Sequence, residues 1–114
     1  MALTHHRINA YRTMWLLVLF DLPTETKKER KAASQFRKIL LQDGFNMFQF
    51  SCYMRHCPSR ENAEVHSRRI QNHLPLFGHV GVFYITDKQW GMTELFFNTK
   101  AEKPKTGPQQ LEFF

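Results

Sequence analysis

Asp21 is the residue best placed to do chemistry in this chain. It closes a run of bulky apolar residues, Met14 to Phe20, and is followed at once by Leu22-Pro23. A carboxylate at the end of a buried strand is aimed by the sheet. It can supply an oxygen ligand to Mg²⁺ beside a phosphate. It can equally bond backbone N–H groups and shape the turn that follows. Glu25 is near enough to join such a site, or to favour a helix N-terminus by its charge. One carboxylate does not make a two-metal centre.

The second feature is a concentration of positive charge. Lys27, Lys28, Arg30, Lys31, Arg37 and Lys38 stand against Glu29 alone, a local charge of +5 out of a net +6 for the chain. Such a stripe can neutralise nucleic-acid phosphates, which makes binding strongly salt-dependent; it can also be a solvated helix face. Gln49, Ser51, Tyr53 and Arg55 alternate along one stretch. Ser51 and Tyr53 offer hydroxyls, and Arg55 a guanidinium, either to a phosphate or to a subunit interface. Cys52 and Cys57 flank His56, but their spacing is not CxxC, and neither an HExxH nor a Walker pattern is present. Cys52 therefore reads as a small buried residue, and the six His as surface residues.

These residues need elements to hold them. Met14–Phe20 has the length and bulk of a strand buried on both faces. Thr26 with Glu29 forms a capping box, and Ala32, Ala33, Phe36, Ile39 and Leu40 give the helix that follows one apolar face. Asp43-Gly44 ends it. Phe45–Arg55 alternates with period two; Phe48, Phe50, Cys52 and Met54 form the apolar side, expected to meet the helices. Ser59 caps a second helix with a thin stripe of Ala63, Ile70 and Leu74. Val80–Thr86 is a further strand, Asp87-Lys88-Gln89 a turn, and Met92–Asn98 another strand. The expected class is α+β, a ferredoxin-like βαββαβ sandwich with an antiparallel sheet and two helices on one face. It requires the Phe45–Cys57 stretch to break into two strands. Residues 1–12 form an N-terminal extension, 13–99 the domain, and 100–114 a polar linker with an extra strand or docking tail. The longest apolar run is too short to span a bilayer, which takes about 20 residues. Residues 1–12 carry no apolar signal core, so a cytoplasmic location is expected.

In this order the segments resemble a known family, the small ferredoxin-like CRISPR-associated protein that partners the CRISPR integrase in spacer acquisition. The resemblance rests on L-V-L-F-D-L-P (17–23), K-K-E-R-K…F-R-K-I-L (27–40) closing on D-G-F (43–45), Q-F-S-C-Y-M-R (49–55) and V-F-Y-I-T-D-K-Q (82–89). The tail K-P-K-T-G-P-Q-Q-L-E-F-F resembles that of members from systems with a single large effector nuclease. This likeness implies a homodimer paired through its sheets, which bridges integrase dimers and binds duplex prespacer DNA. It implies a C-terminal segment that docks by strand addition, with Leu111, Phe113 and Phe114 as anchors. It also implies that some members are Mg²⁺-dependent endonucleases on RNA or DNA. Asp21 would then be the metal ligand, with one ion shared across the two-fold axis. A toxin-like ribonuclease of the same fold is the other enzyme class that fits.

Overall fold

The computed structural model describes residues 13–97 and 100–102. The elements run β1 (Met14–Asp21), α1 (Lys27–Gln42), β2 (Asn46–Gln49), β3 (Cys52–Cys57), α2 (Arg60–Gln71), β4 (His79–Thr86), α3 (Asp87–Gly91), β5 (Leu95–Phe97) and β6 (Lys100–Glu102). The first four strands form one sheet in the order β2-β3-β1-β4, and every adjacent pair is antiparallel. This is the βαββαβ order of the ferredoxin-like fold. β5 and β6 pair with each other in a separate hairpin. Lys100–Glu102, read as the start of a polar linker, is thus a strand. The tail anchors Leu111, Phe113 and Phe114 lie outside the described residues.

β1 holds the molecule together because one of its faces is covered along its length and the other over its first half. Met14, Leu16, Val18 and Phe20 turn to the helices and pack with Phe36 and Leu40 of α1, Ala63 and Ile70 of α2, and Tyr53 and Cys57 of β3. On the other face Trp15 meets Met54 and Trp90 in a second, smaller core, with Leu17, Phe48, Ile85 and Leu95 against it. The Trp15 indole N–H donates to the Asp87 carboxylate at 2.9 Å, which ties β1 to α3. Buried apolar side chains of this size each contribute about 1.5–3 kcal/mol.

The helix ends follow local chemistry. Thr26 accepts from the Glu29 N–H, and the Glu29 carboxylate accepts from the Thr26 N–H, the reciprocal capping box. Ser59 caps α2 by accepting from the Asn62 N–H. Gly44 takes φ +87 just past the end of α1. A Cβ there would meet the tip of the Arg55 side chain, and the positive φ is what calls for glycine.

Five expectations change. The Phe45–Arg55 alternation breaks at the Phe50-Ser51 turn, and a bulge between Met47 and Gln49 shifts its phase. The two faces of β3 are also reversed. Tyr53 stands opposite Val18, and Cys57 opposite Met14, so these residues face the helices while Cys52 and Met54 face away. Asp87–Gly91 is a short helix rather than a turn, closed by a Thr86–Gln89 capping box and buried through Trp90. The adjacent strand shortens to Leu95–Phe97. In α2 the stripe is completed by His66, which is 5% exposed; Leu74 lies beyond the helix and is half exposed.

Candidate functional site

Asp21 ends β1 on the face away from the helices, directly across from His79 in the β1–β4 register. The segment Asp87–Leu95 covers only the Trp15 end of that face. At the Asp21 end no described element covers the sheet. A shallow depression there is lined by Leu19, Asp21, Gln49, Ser51, His79 and Phe83, among others. Leu19 and Phe83 are 39% and 50% exposed within it. Gly78, at φ +95, allows this geometry: a Cβ would clash with the Asp21 carbonyl oxygen. Glu25 takes no part in the depression; its N–H donates to Glu29 and its carbonyl accepts from Arg30.

Among the described residues no group of three or more His, Cys, Asp or Glu comes together to hold a metal ion. Mg²⁺ asks for about six oxygen ligands, commonly one or two carboxylates with water and phosphate oxygens making up the rest. Asp21, exposed and beside an open depression, has the right chemistry for one such ligand. Among the described residues, Asp21 is the one carboxylate that lines the depression.

Ser51 is exposed at the rim of this depression, and its carbonyl accepts from the Phe20 N–H at 3.0 Å. Tyr53 and Arg55 are elsewhere. Tyr53 is 2% exposed and packs its ring 5.7 Å from Phe20 on the helix side. Burial raises its hydroxyl pKa, and the Arg37 charge partly offsets this. Arg55 donates to the Asp43 carbonyl at 2.7 Å. Neither residue shares a surface with Ser51, which sits in the turn before β3 while Tyr53 and Arg55 lie within the strand. Cys52 borders the depression, but burial pushes its thiol up to about 11, so it stays protonated and unreactive at neutral pH.

The basic helix divides into two groups. At about 100° per residue, Lys27, Lys31 and Lys38 fall within about 40° of one another, opposite Ala33, Phe36 and Leu40. All three lysines are exposed, as is Lys28 on their flank. Arg30 and Arg37 serve the fold. Arg30 donates to the carbonyls of Thr24 and Glu25 at 3.1 and 2.9 Å, bracing the loop after Asp21. Arg37 Nε donates to the Phe50 carbonyl at 3.4 Å, and its guanidinium lies 3.9 Å from the Phe50 ring centroid.

A polar cluster that reading along the chain missed lies at the far end of α1. Asp43 accepts from Arg69 at 2.7 Å through one carboxylate oxygen, and pairs with His66 Nδ1 at 2.7 Å through the other. With Arg55 on its carbonyl, one residue joins α1, α2 and β3. Asp43 and His66 are 23 residues apart, and no local pattern links them. Two of the histidines are therefore interior. His66 is buried, and His56 is half-buried edge-on to Trp15 at 5.0 Å, where burial lowers its pKa against the pull of Asp87.

No helix among the described residues is long and apolar enough to cross a membrane. Comparison with known proteins gives one consistent result. The family model described as CRISPR associated protein Cas2 matches residues 14–93, from the start of β1 to just past α3. A CRISPR-associated endoribonuclease Cas2 of Flavobacterium psychrophilum is 63% identical over 108 residues, 95% of this chain and 94% of that protein. Its namesakes from Parvibaculum lavamentivorans and Paracidovorax avenae are 48% and 41% identical, over 89% and 94% of this chain and 100% and 99% of theirs. The ferredoxin-like sheet, the carboxylate closing its β1 strand and the lysine-bearing helix behind it are framed by that match, and the chain belongs to the CRISPR-associated Cas2 family.

Proposed function

We propose that this chain is a homodimeric subunit of CRISPR adaptation, pairing through its open sheet face and binding duplex prespacer DNA through the α1 lysines. The carrying observation is the half of the sheet that no described element covers. Leu19 and Phe83 are large, apolar and exposed side by side on a face whose other half is covered by α3 and β5. A two-fold axis there puts the same patch on both partners, the commonest closed symmetry. The lysines stand on the opposite side of the molecule, free for phosphate. The dimer then bridges integrase dimers, with Leu111, Phe113 and Phe114 adding the tail to the integrase as a strand.

The dimer is tested by mass in solution. Light scattering of the intact chain should give twice 13.6 kDa. Phe83→Lys should give a folded monomer, because a charge placed in a desolvated patch has no partner. A monomeric wild type, or a dimer indifferent to Phe83→Lys, would remove this pairing.

A second reading is favoured by Asp21 itself and by the word endoribonuclease in the relatives' names. Facing copies bring two Asp21 carboxylates and two Ser51 hydroxyls to one axis. They would hold one Mg²⁺, which when bound supplies phosphate polarisation and water activation. Asp21 and His79 then position the phosphodiester of an RNA or DNA substrate. The adaptation reading does not need this activity.

A further inference from the structure

The helix layer carries a second apolar surface, where α1 passes the end of α2. Two depressions meet there. One is lined by Ile39, Asp43, Arg69 and His73, among others; the second by Ala32, Gln35, Ile39, His73, Leu74 and Leu76, among others. They share Ile39 and His73, so they form one groove. Its outer wall is the loop after α2, where Leu74 is 49% and Leu76 80% exposed, and exposed apolar patches of this kind mark contact sites. The rim is basic. Arg69 is 58% exposed, and the Asp43 carboxylate in the groove is already taken by His66 and Arg69. At 100° per residue, Ala32 and Ile39 stand about 100° round α1 from the lysine face. The groove is also on the helix side of the sheet, away from Leu19 and Phe83. Neither phosphate on the lysines nor the pairing proposed above would cover it.

Residues 103–114 lie outside the described residues. Within them, Gln109-Gln-Leu-Glu-Phe-Phe114 carries three large apolar side chains and one carboxylate, Glu112. That chemistry complements an apolar groove with a basic rim. The reach also fits. Pro104 and Pro108 favour an extended path, and at about 3.1 Å per residue the stretch from Lys103 to Leu111 spans about 28 Å, against a shortest molecular dimension of 19 Å. We propose that residues 109–114 seat in this groove of their own protomer while no integrase is bound. Leu111, Phe113 and Phe114 lie against its apolar wall and Glu112 faces Arg69. The consequence rests on the adaptation reading, which gives the same three anchors to the integrase. The groove then acts as a latch: it holds the tail in the free protein, and the integrase must draw the tail out to add it as a strand.

The test uses the full chain carrying Gln35→Cys with Gln110→Cys, oxidised with diamide. Peptide mass mapping should find these two positions joined within one chain; Cys52 and Cys57 are buried and stay reduced. Adding Leu76→Glu, at an exposed position that packing does not depend on, sets a carboxylate against Glu112 and should slow the linkage roughly ten-fold, the scale of one large apolar contact. Amide hydrogen exchange of the chain without added cysteines is the second readout. Phe113→Ser with Phe114→Ser should speed exchange at Leu74, Leu76 and Phe77 by roughly ten-fold. Linkage indifferent to Leu76→Glu, linkage that joins two chains, or loop exchange indifferent to the tail change each overturns the seat. Copurification with the integrase separates the seat from the reading it rests on. Integrase binding lost in the Phe113→Ser/Phe114→Ser form, with loop exchange unchanged, keeps the tail–integrase contact and overturns the seat. Loop exchange that rises while integrase binding persists supports the seat and overturns the tail–integrase contact.

Discussion

Replacing Lys27, Lys31 and Lys38 together by Gln should cut the affinity for duplex DNA by about two orders of magnitude at low salt and leave the fold intact. The three ammonium groups share one exposed face of α1, and none is needed for packing. They span about 16 Å of helix. Each phosphate contact contributes roughly 0.9 to the slope of log affinity against log salt, so the slope should fall by about 2.7. A titration by fluorescence anisotropy at several salt concentrations measures both quantities. The same change at Arg30 and Arg37 has a different meaning. Those side chains hold backbone carbonyls and the Phe50 ring, so their loss disturbs the loop after Asp21 and the hairpin tip. Charge counting along the helix treats all six basic residues alike; hydrogen bonding separates them.

The largest stability loss should come from Asp43→Ala. Its carboxylate serves a buried imidazole and a guanidinium, each at 2.7 Å. Removing it leaves His66 without that partner at 5% exposure. Hydrogen bonds to charged groups contribute about 1.5–3 kcal/mol each. Arg69 is 58% exposed, so solvent screens part of its share. A loss of about 2–4 kcal/mol follows, which for a domain of this size lowers the melting temperature by roughly 10 °C or more. Thermal unfolding monitored by circular dichroism checks it. Asp43→Ala destabilising by no more than a surface substitution, about 0.5 kcal/mol, would mean that the cluster does not hold α1, α2 and β3 together.

Much of the frame was legible along the chain. The Met14–Phe20 run, the Thr26–Glu29 box, Gly44 and Ser59 each encode a boundary through local chemistry, and the boundaries stand where those residues put them. The orientation of β3 was not legible. Period two says which residues share a face; it does not say which face is inward when both sides meet apolar partners. Met54 lies under Trp90 as securely as Tyr53 lies under the helices. The covering element is the reason: α3 looked like a turn until Trp90 had Trp15 to pack on, 5.2 Å away. For the candidate site, Asp21 and the lysines were visible because their signals are local. His79 opposite Asp21, and His66 against Asp43, exist only through pairing and packing across the fold.

We propose a homodimer that acts in adaptation as a nucleic-acid scaffold, with Asp21 at its interface and outside its essential chemistry. The most direct measurement is spacer acquisition in cells carrying the integrase, a repeat array and one of three forms of this chain. Wild type and Asp21→Asn should acquire spacers at equal rates, while the Lys27/Lys31/Lys38→Gln form should fall to background. Acquisition lost with Asp21→Asn in a folded, dimeric protein and retained in the lysine variant would overturn the scaffold role.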